Sequence, residues 1–93
     1  MTERALIKRI KEELTKAGAK VLKIAGGPRC EAGTPDLIGC YCGRAFAIEA
    51  KVGKNVASKI QTARMNEWLA SGACVAVARE MFAVAIFLEE VKS

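Results

Sequence analysis

The one aspartate of the chain, Asp36, follows Pro35 at the mouth of a short apolar run, and Glu49 and Lys51 sit inside the next apolar run. Two carboxylates offer hard oxygen ligands of the kind Mg²⁺ or Mn²⁺ prefers. The main-chain carbonyl of Ala50, between the two charged residues, is placed to add a third protein oxygen. An ion held in this way lowers the pKa of a bound water and stabilises charge on a phosphoryl oxygen. Lys51 is suited to orienting that water, helping to deprotonate it, or neutralising the pentavalent phosphate. Together these groups form a toolkit for phosphodiester hydrolysis. The chain contains no His. His-based acid–base catalysis and Ser–His or Cys–His nucleophile pairs are therefore excluded.

A hairpin must bring these groups together. Pro35 fixes φ and donates no hydrogen bond, so it suits the start of a strand. Tyr41-Cys42-Gly43-Arg44 reads as the turn between strands at Pro35–Cys40 and Ala45–Lys51. Strand residues two apart share a face. Glu49 and Lys51 thus point to one side, and Phe46, Ile48 and Ala50 to the other. The hairpin carries Asp36 to the charged side. The plain structural alternative is a surface Glu49–Lys51 salt bridge with Asp36 capping a turn. An isolated E-x-K carries no information. A Pro-Asp at a strand start, a hairpin, and E-x-K inside an apolar strand carry more, and they favour metal-dependent chemistry.

The remaining elements follow from periodicity. Leu6, Ile7, Ile10, Leu14 and Ala17 recur at helical spacing over residues 2–17, with Thr2 as N-cap and Gly18 as stop. Glu3 has two readings, a first-turn carboxylate complementing the helix dipole or a carboxylate turned toward the site. Ala19–Ala25 reads as a strand ended by Gly26-Gly27-Pro28. Residues 56–71 read as a second helix with Val56, Ile60, Ala63, Trp68 and Leu69 as its apolar face. Gln61 shares a side with Met65 and Trp68 and points toward the sheet. Trp68 is expected as a core anchor. Ala73–Ala78 reads as a strand buried on both faces. Glu80–Val91 fits a strand or a helix, with Phe82, Ile86 and Glu89-Glu90 favouring a closing helix. The expected fold is α/β: a small mixed sheet flanked by helices, in the order α-β-β-β-α-β plus a terminal element.

Ninety-three residues with 52% hydrophobics indicate one folded domain over residues 1–93 rather than disorder. No apolar run has the length of a membrane span, and the start of the chain is a charged helix pattern, so a soluble cytoplasmic protein is expected. The net charge of +5 suggests a polyanionic partner. Residues 1–29 hold eight Lys or Arg against three acids, and residues 43–64 hold five against Glu49 alone. The basic positions best placed to meet nucleic acid are Lys8, Arg29, Arg44, Lys54, Lys59 and Arg64, of which Lys59 and Arg64 are expected to be exposed on the second helix. The four cysteines lack the spacing and the His partners of a zinc site and read as buried free thiols.

Gly33-Thr34-Pro35-Asp36, then Ile48-Glu49-Ala50-Lys51, then Gln61, resemble the PD-(D/E)XK nuclease superfamily, and within it the stand-alone VRR-NUC domains of phages and bacteria. The likeness runs from the first helix to the Ala73–Val77 strand, with no departure at the motif positions. It implies a restriction-endonuclease-like core. It also implies Asp36 and Glu49 as metal-binding acids, the Ala50 carbonyl as third ligand, Lys51 as catalytic lysine, Gln61 as active-site glutamine and Glu3 as the first-helix glutamate. Stand-alone members resemble archaeal Holliday junction resolvases and act as homodimers. The resemblance therefore implies a Mg²⁺- or Mn²⁺-dependent endonuclease cutting branched DNA, such as four-way junctions, in a bacterial or phage-infected cell. The competing readings are a flap or duplex nuclease of the same fold, a non-catalytic DNA-binding module and a structural subunit of a larger complex.

Overall fold

The computed structural model spans Met1 to Ser93. Its elements are α1 (Glu3–Lys16), β1 (Lys20–Lys23), β2 (Leu37–Tyr41), β3 (Arg44–Ala50), α2 (Lys59–Ala70), β4 (Cys74–Ala78) and α3 (Met81–Lys92). The sheet has the order β1-β2-β3-β4. The first three strands are antiparallel, and β4 lies parallel to β3 after the α2 crossover. This is the small mixed sheet with flanking helices that the sequence pattern predicts, and the terminal element is a helix. No helix is long and apolar enough to cross a membrane.

The turn at Cys42-Gly43 has positive φ at both residues, 52° and 79°. That conformation matches the twist of a two-residue hairpin and sets the β2–β3 register, with Leu37 opposite Ile48. Cross-strand partners share a face. One face carries Val21, Leu37, Phe46, Ile48, Ala50 and Ala78, all of them in the main core. Helix α1 adds Leu6, Ile7, Ile10 and Leu14, and α3 adds Val84, Phe87 and Val91. The rings of Phe46 and Phe87 meet edge-on at 6.0 Å, joining sheet to helix.

Gly39 sits opposite Phe46, and a Cβ there would be 2.7 Å from the Phe46 ring and would collide with the Lys20 carbonyl. A glycine inside a strand marks such a close approach. Gly39→Ala is therefore expected to cost about 3 kcal/mol, read from the urea unfolding midpoint, because a backbone carbonyl cannot move aside as a side chain can.

The other face is only partly covered. It carries Leu22, Ile38, Cys40, Ala45, Ala47, Glu49, Val75 and Val77, and α2 is the one helix against it. No α2 residue belongs to the main core. Several sequence expectations fail for this reason. The helix begins at Lys59 after the Ser58 N-cap, so Val56 lies outside it. The expected apolar face does not form, since Val56, Ile60 and Leu69 are exposed. The stripe that meets the sheet runs through Gln61, Met65 and Trp68, and only Met65 is fully buried, with Trp68 half-buried. Strand β1 is shorter than Ala19–Ala25, and its Leu22 is exposed on the uncovered face. Strand β4 is an edge strand with Val77 exposed, not a strand buried on both faces. The cysteines are all free, but Cys40 and Cys42 are exposed, one on the uncovered face and one in the turn.

Candidate active site

Three segments converge at the open end of the β2–β3 hairpin. Thr2 caps α1 by accepting a hydrogen bond from the Ala5 amide at 3.1 Å, so Glu3 falls in the first turn. Glu3 heads the stripe that continues through Ile7, Ile10 and Leu14 toward the sheet, and it is half-buried. Asp36 is held from both sides. Its carbonyl accepts from the Ile24 amide at 2.8 Å, and its Oδ2 accepts from the Ala50 amide at 2.8 Å. In extended backbone a residue's N–H and C=O leave on the same side, so the Ala50 carbonyl also faces the Asp36 flank. Carboxylate oxygens of Glu3, Asp36 and Glu49 lie within 4.8 Å of one another.

Glu49 is 1% exposed. Its Oε1 accepts from Gln61 Nε2 at 3.2 Å and lies 3.9 Å from Lys51 Nζ. Its Oε2 is buried and meets no donor. Burial, then a proton shared with the Asp36 carboxylate, then the Asp36 charge push the Glu49 pKa up to about 8. Lys51 opposes the rise, and Glu3 adds to it. An unpaired buried carboxylate oxygen is costly. Here two acids face each other across a gap, and a proton or a cation must fill it. A divalent ion fits this donor set by its chemistry, through oxygens of Asp36, Glu49 and the Ala50 carbonyl with Glu3 in reach.

Gln61 occupies the third position of α2 and closes a capping box. Its Oε1 accepts from the Ser58 amide at 2.9 Å, while Ser58 Oγ accepts from the Gln61 amide at 3.2 Å. Both ends of the side-chain amide are thus assigned. The sequence announces this in Ser58-Lys59-Ile60-Gln61, the S-x-x-Q signature, which places the start of the helix at Lys59 rather than at residue 56.

Two arginines hold the surrounding backbone, and neither role was visible in sequence. Arg79 Nη1 donates to the carbonyls of Gly53, at 3.3 Å, and Asn55, pinning the turn after Lys51. Arg64 Nε donates to the Ala32 carbonyl and pairs with Glu31, both at 3.0 Å, while Nη1 pairs with Glu67. Gly33 packs so closely on α2 that a Cβ would lie 2.8 Å from the Ile60 carbonyl. The loop that delivers Asp36 and the helix that carries Gln61 are thereby joined. Arg64, expected to be exposed, has a side chain only 23% accessible. The cause is its tie to a loop 32 residues away in sequence, which no local pattern predicts. Lys8, Arg29, Arg44, Lys54 and Lys59 are exposed. Arg64→Leu is expected to cost about 1–2 kcal/mol of stability by urea unfolding, with Lys59→Leu near neutral, since only the first loses charge-assisted bonds to backbone.

No protein-family model matches the chain, and no curated protein matches it in sequence. Among solved structures it is similar to a VRR_NUC domain, at 25% identity and a TM-score of 0.76, with 94% of each chain covered. It is also similar to Hjc, a Holliday junction resolvase from the archaeal hyperthermophile Archaeoglobus fulgidus, at 23% identity and a TM-score of 0.66 over 83% of this chain and 67% of that one.

Proposed function

We propose that this chain, which has a VRR-NUC/PD-(D/E)XK-like nuclease fold, is a nuclease working as one domain over residues 1–93. Its chemistry is phosphodiester hydrolysis in DNA, dependent on Mg²⁺ or Mn²⁺. Its preferred substrate is branched DNA, above all the four-way junction, cut by a homodimer. The observation that carries the reading is the meeting of Glu3, Asp36 and Glu49 within 4.8 Å, with one Glu49 oxygen buried and unpaired. Similarity to a VRR_NUC domain and to a junction resolvase supports the choice of nuclease and of substrate.

Asp36, Glu49 and the Ala50 carbonyl would hold the ion, with Glu3 at its edge. When bound, the ion supplies a water of lowered pKa and a positive charge beside the scissile phosphate. Gln61 keeps the Glu49 carboxylate oriented by binding Oε1, which leaves Oε2 without a protein donor and free to meet an ion. Lys51 acts at the phosphate. Its side chain is only 12% exposed, so its charge works where water screens it little. The uncovered sheet face, with Leu22 52% and Val77 43% exposed and Ala45 open, supports a second copy of the chain as its cover.

The test uses the purified protein with a synthetic four-way junction, a flap and plain duplex, each in Mg²⁺, Mn²⁺ or EDTA, beside Lys51→Ala. Paired symmetric cuts in the junction that need metal and vanish in the variant are expected. Metal-dependent cutting of flap or duplex alone would overturn the substrate and leave the active site. Junction binding without any cutting would overturn the enzyme reading in favour of a binding module.

A further inference from the structure

A cavity of about 500 Å³ opens beside the first turn of α1, and among its walls are Thr2, Arg4, Lys8, Lys11 and Lys23, with no carboxylate. Arg4, Lys8 and Lys11 are spaced i, i+4 and i+7, so they form one stripe of α1. The neighbouring stripe, about 100° around the helix, is the one headed by Glu3. One helix therefore presents a site carboxylate on one flank and a row of cations on the next. Lys23 reaches the cavity from β1, the edge strand on that side.

None of these four cations is in an ion pair. The ion pairs of the protein use Lys16, Lys51, Arg64 and Lys92, and none uses Arg4, Lys8, Lys11 or Lys23. A second cavity of about 490 Å³ continues along the helix past Lys8 and Lys11 and meets its first acid at Glu12. The unbroken cationic stretch runs from Arg4 to Lys11. At about 1.5 Å per residue that is about 10 Å, or roughly three base pairs at about 3.4 Å each.

We infer that the groove formed by Arg4, Lys8, Lys11 and Lys23 seats the sugar-phosphate backbone of a duplex arm leading away from the acidic site. The inference rests on the nuclease reading above and adds where the arm lies. Four unpaired cations without an acid among them match the regular charge of a phosphate backbone, and the groove begins where the Glu3 turn meets the site. Contacts of this kind position a duplex without reading its sequence. Lys8 was a candidate from sequence. Arg4, Lys11 and Lys23 were not, because their convergence needs the packing of α1 on β1.

The test is the salt dependence of binding, measured in EDTA so that no cleavage intervenes. The probe is a labelled duplex of about 20 base pairs, and the variant is Lys8→Ala/Lys11→Ala/Lys23→Ala. Alanine preserves the helix at positions 8 and 11, and urea unfolding checks that the variant remains folded. Each lost phosphate contact lowers the slope of log affinity against log salt by about 0.9. The wild-type slope is expected to fall by about 2 to 3 in the variant, with Lys92→Ala as an unchanged control. A variant slope equal to wild type, with wild type still cutting DNA, overturns the groove and leaves the nuclease reading in place. Weaker binding at an unchanged slope also overturns it, since the lysines would then act by shape and not by charge. A wild-type protein that neither binds duplex nor cuts any substrate overturns both.

Discussion

Glu49→Gln is expected to stabilise the metal-free protein at about pH 8 and to abolish cleavage. The two outcomes have one origin. Glu49 is buried against Asp36 with its pKa raised to about 8, so its ionised form is held at a cost that a bound cation would repay. The amide is neutral and nearly isosteric. Its oxygen can still accept from Gln61, and its nitrogen can donate to Asp36, as the protonated acid does. The gain is on the order of 2–4 kcal/mol in EDTA near pH 8, given about 1.36 kcal/mol per pKa unit. An amide is a poor ligand for Mg²⁺, and losing several kcal/mol of transition-state stabilisation lowers the cleavage rate by about a thousandfold or more. Thermal unfolding in EDTA and single-turnover cleavage in Mg²⁺ read the two halves. A variant that loses cleavage and also loses stability would mean that the Glu49 charge holds the fold together, and the metal reading would fall.

The stability of the metal-free protein is expected to decline as pH rises. A carboxylate whose folded pKa exceeds its unfolded value binds its proton more tightly in the folded state. Its contribution is fully present below the ordinary value of 4.5 and is lost as pH climbs to about 8. The decline has a ceiling of roughly 5 kcal/mol at about 1.36 kcal/mol per unit. Above that range the curve flattens. Mg²⁺ or Mn²⁺ competes with the proton for the same oxygens, so either ion should restore stability near pH 8 and do little near pH 5. Melting temperatures between about pH 5 and pH 9, with and without Mn²⁺, decide the matter. A flat metal-free profile would show that Glu49 is ionised throughout.

The hairpin and its charged residues were legible because their signals are local. Pro35 before Asp36, a two-residue turn and strict alternation along β3 place Glu49 and Lys51 on the face opposite Phe46 and Ile48 with no knowledge of the rest. Helix α1 was equally clear, since its stripe lies against the main core. Helix α2 was legible in part: Gln61, Met65 and Trp68 face the sheet as expected, but the apolar face through Ile60 and Leu69 does not form, because burial on that side of the sheet is incomplete and these side chains gain little by turning inward. There the polar Gln61 takes an inward position for the sake of Glu49. The ties of Arg64 to Ala32 and of Arg79 to Gly53 and Asn55 were illegible because those partners are carbonyls, which carry no side-chain identity in sequence.

Gln61 ends one helix and steadies one carboxylate with the same amide. That double duty falls on the helix that contributes nothing to the main core. Segments with few buried apolar contacts open first, well before the global transition. When α2 frays at its start, Glu49 loses its orienting donor in the same event. The lifetime of the Gln61–Glu49 contact is therefore expected to follow the opening of one short helix rather than the unfolding of the protein. Substitutions that tighten α2 on its sheet face would lengthen that lifetime without touching a single acidic residue.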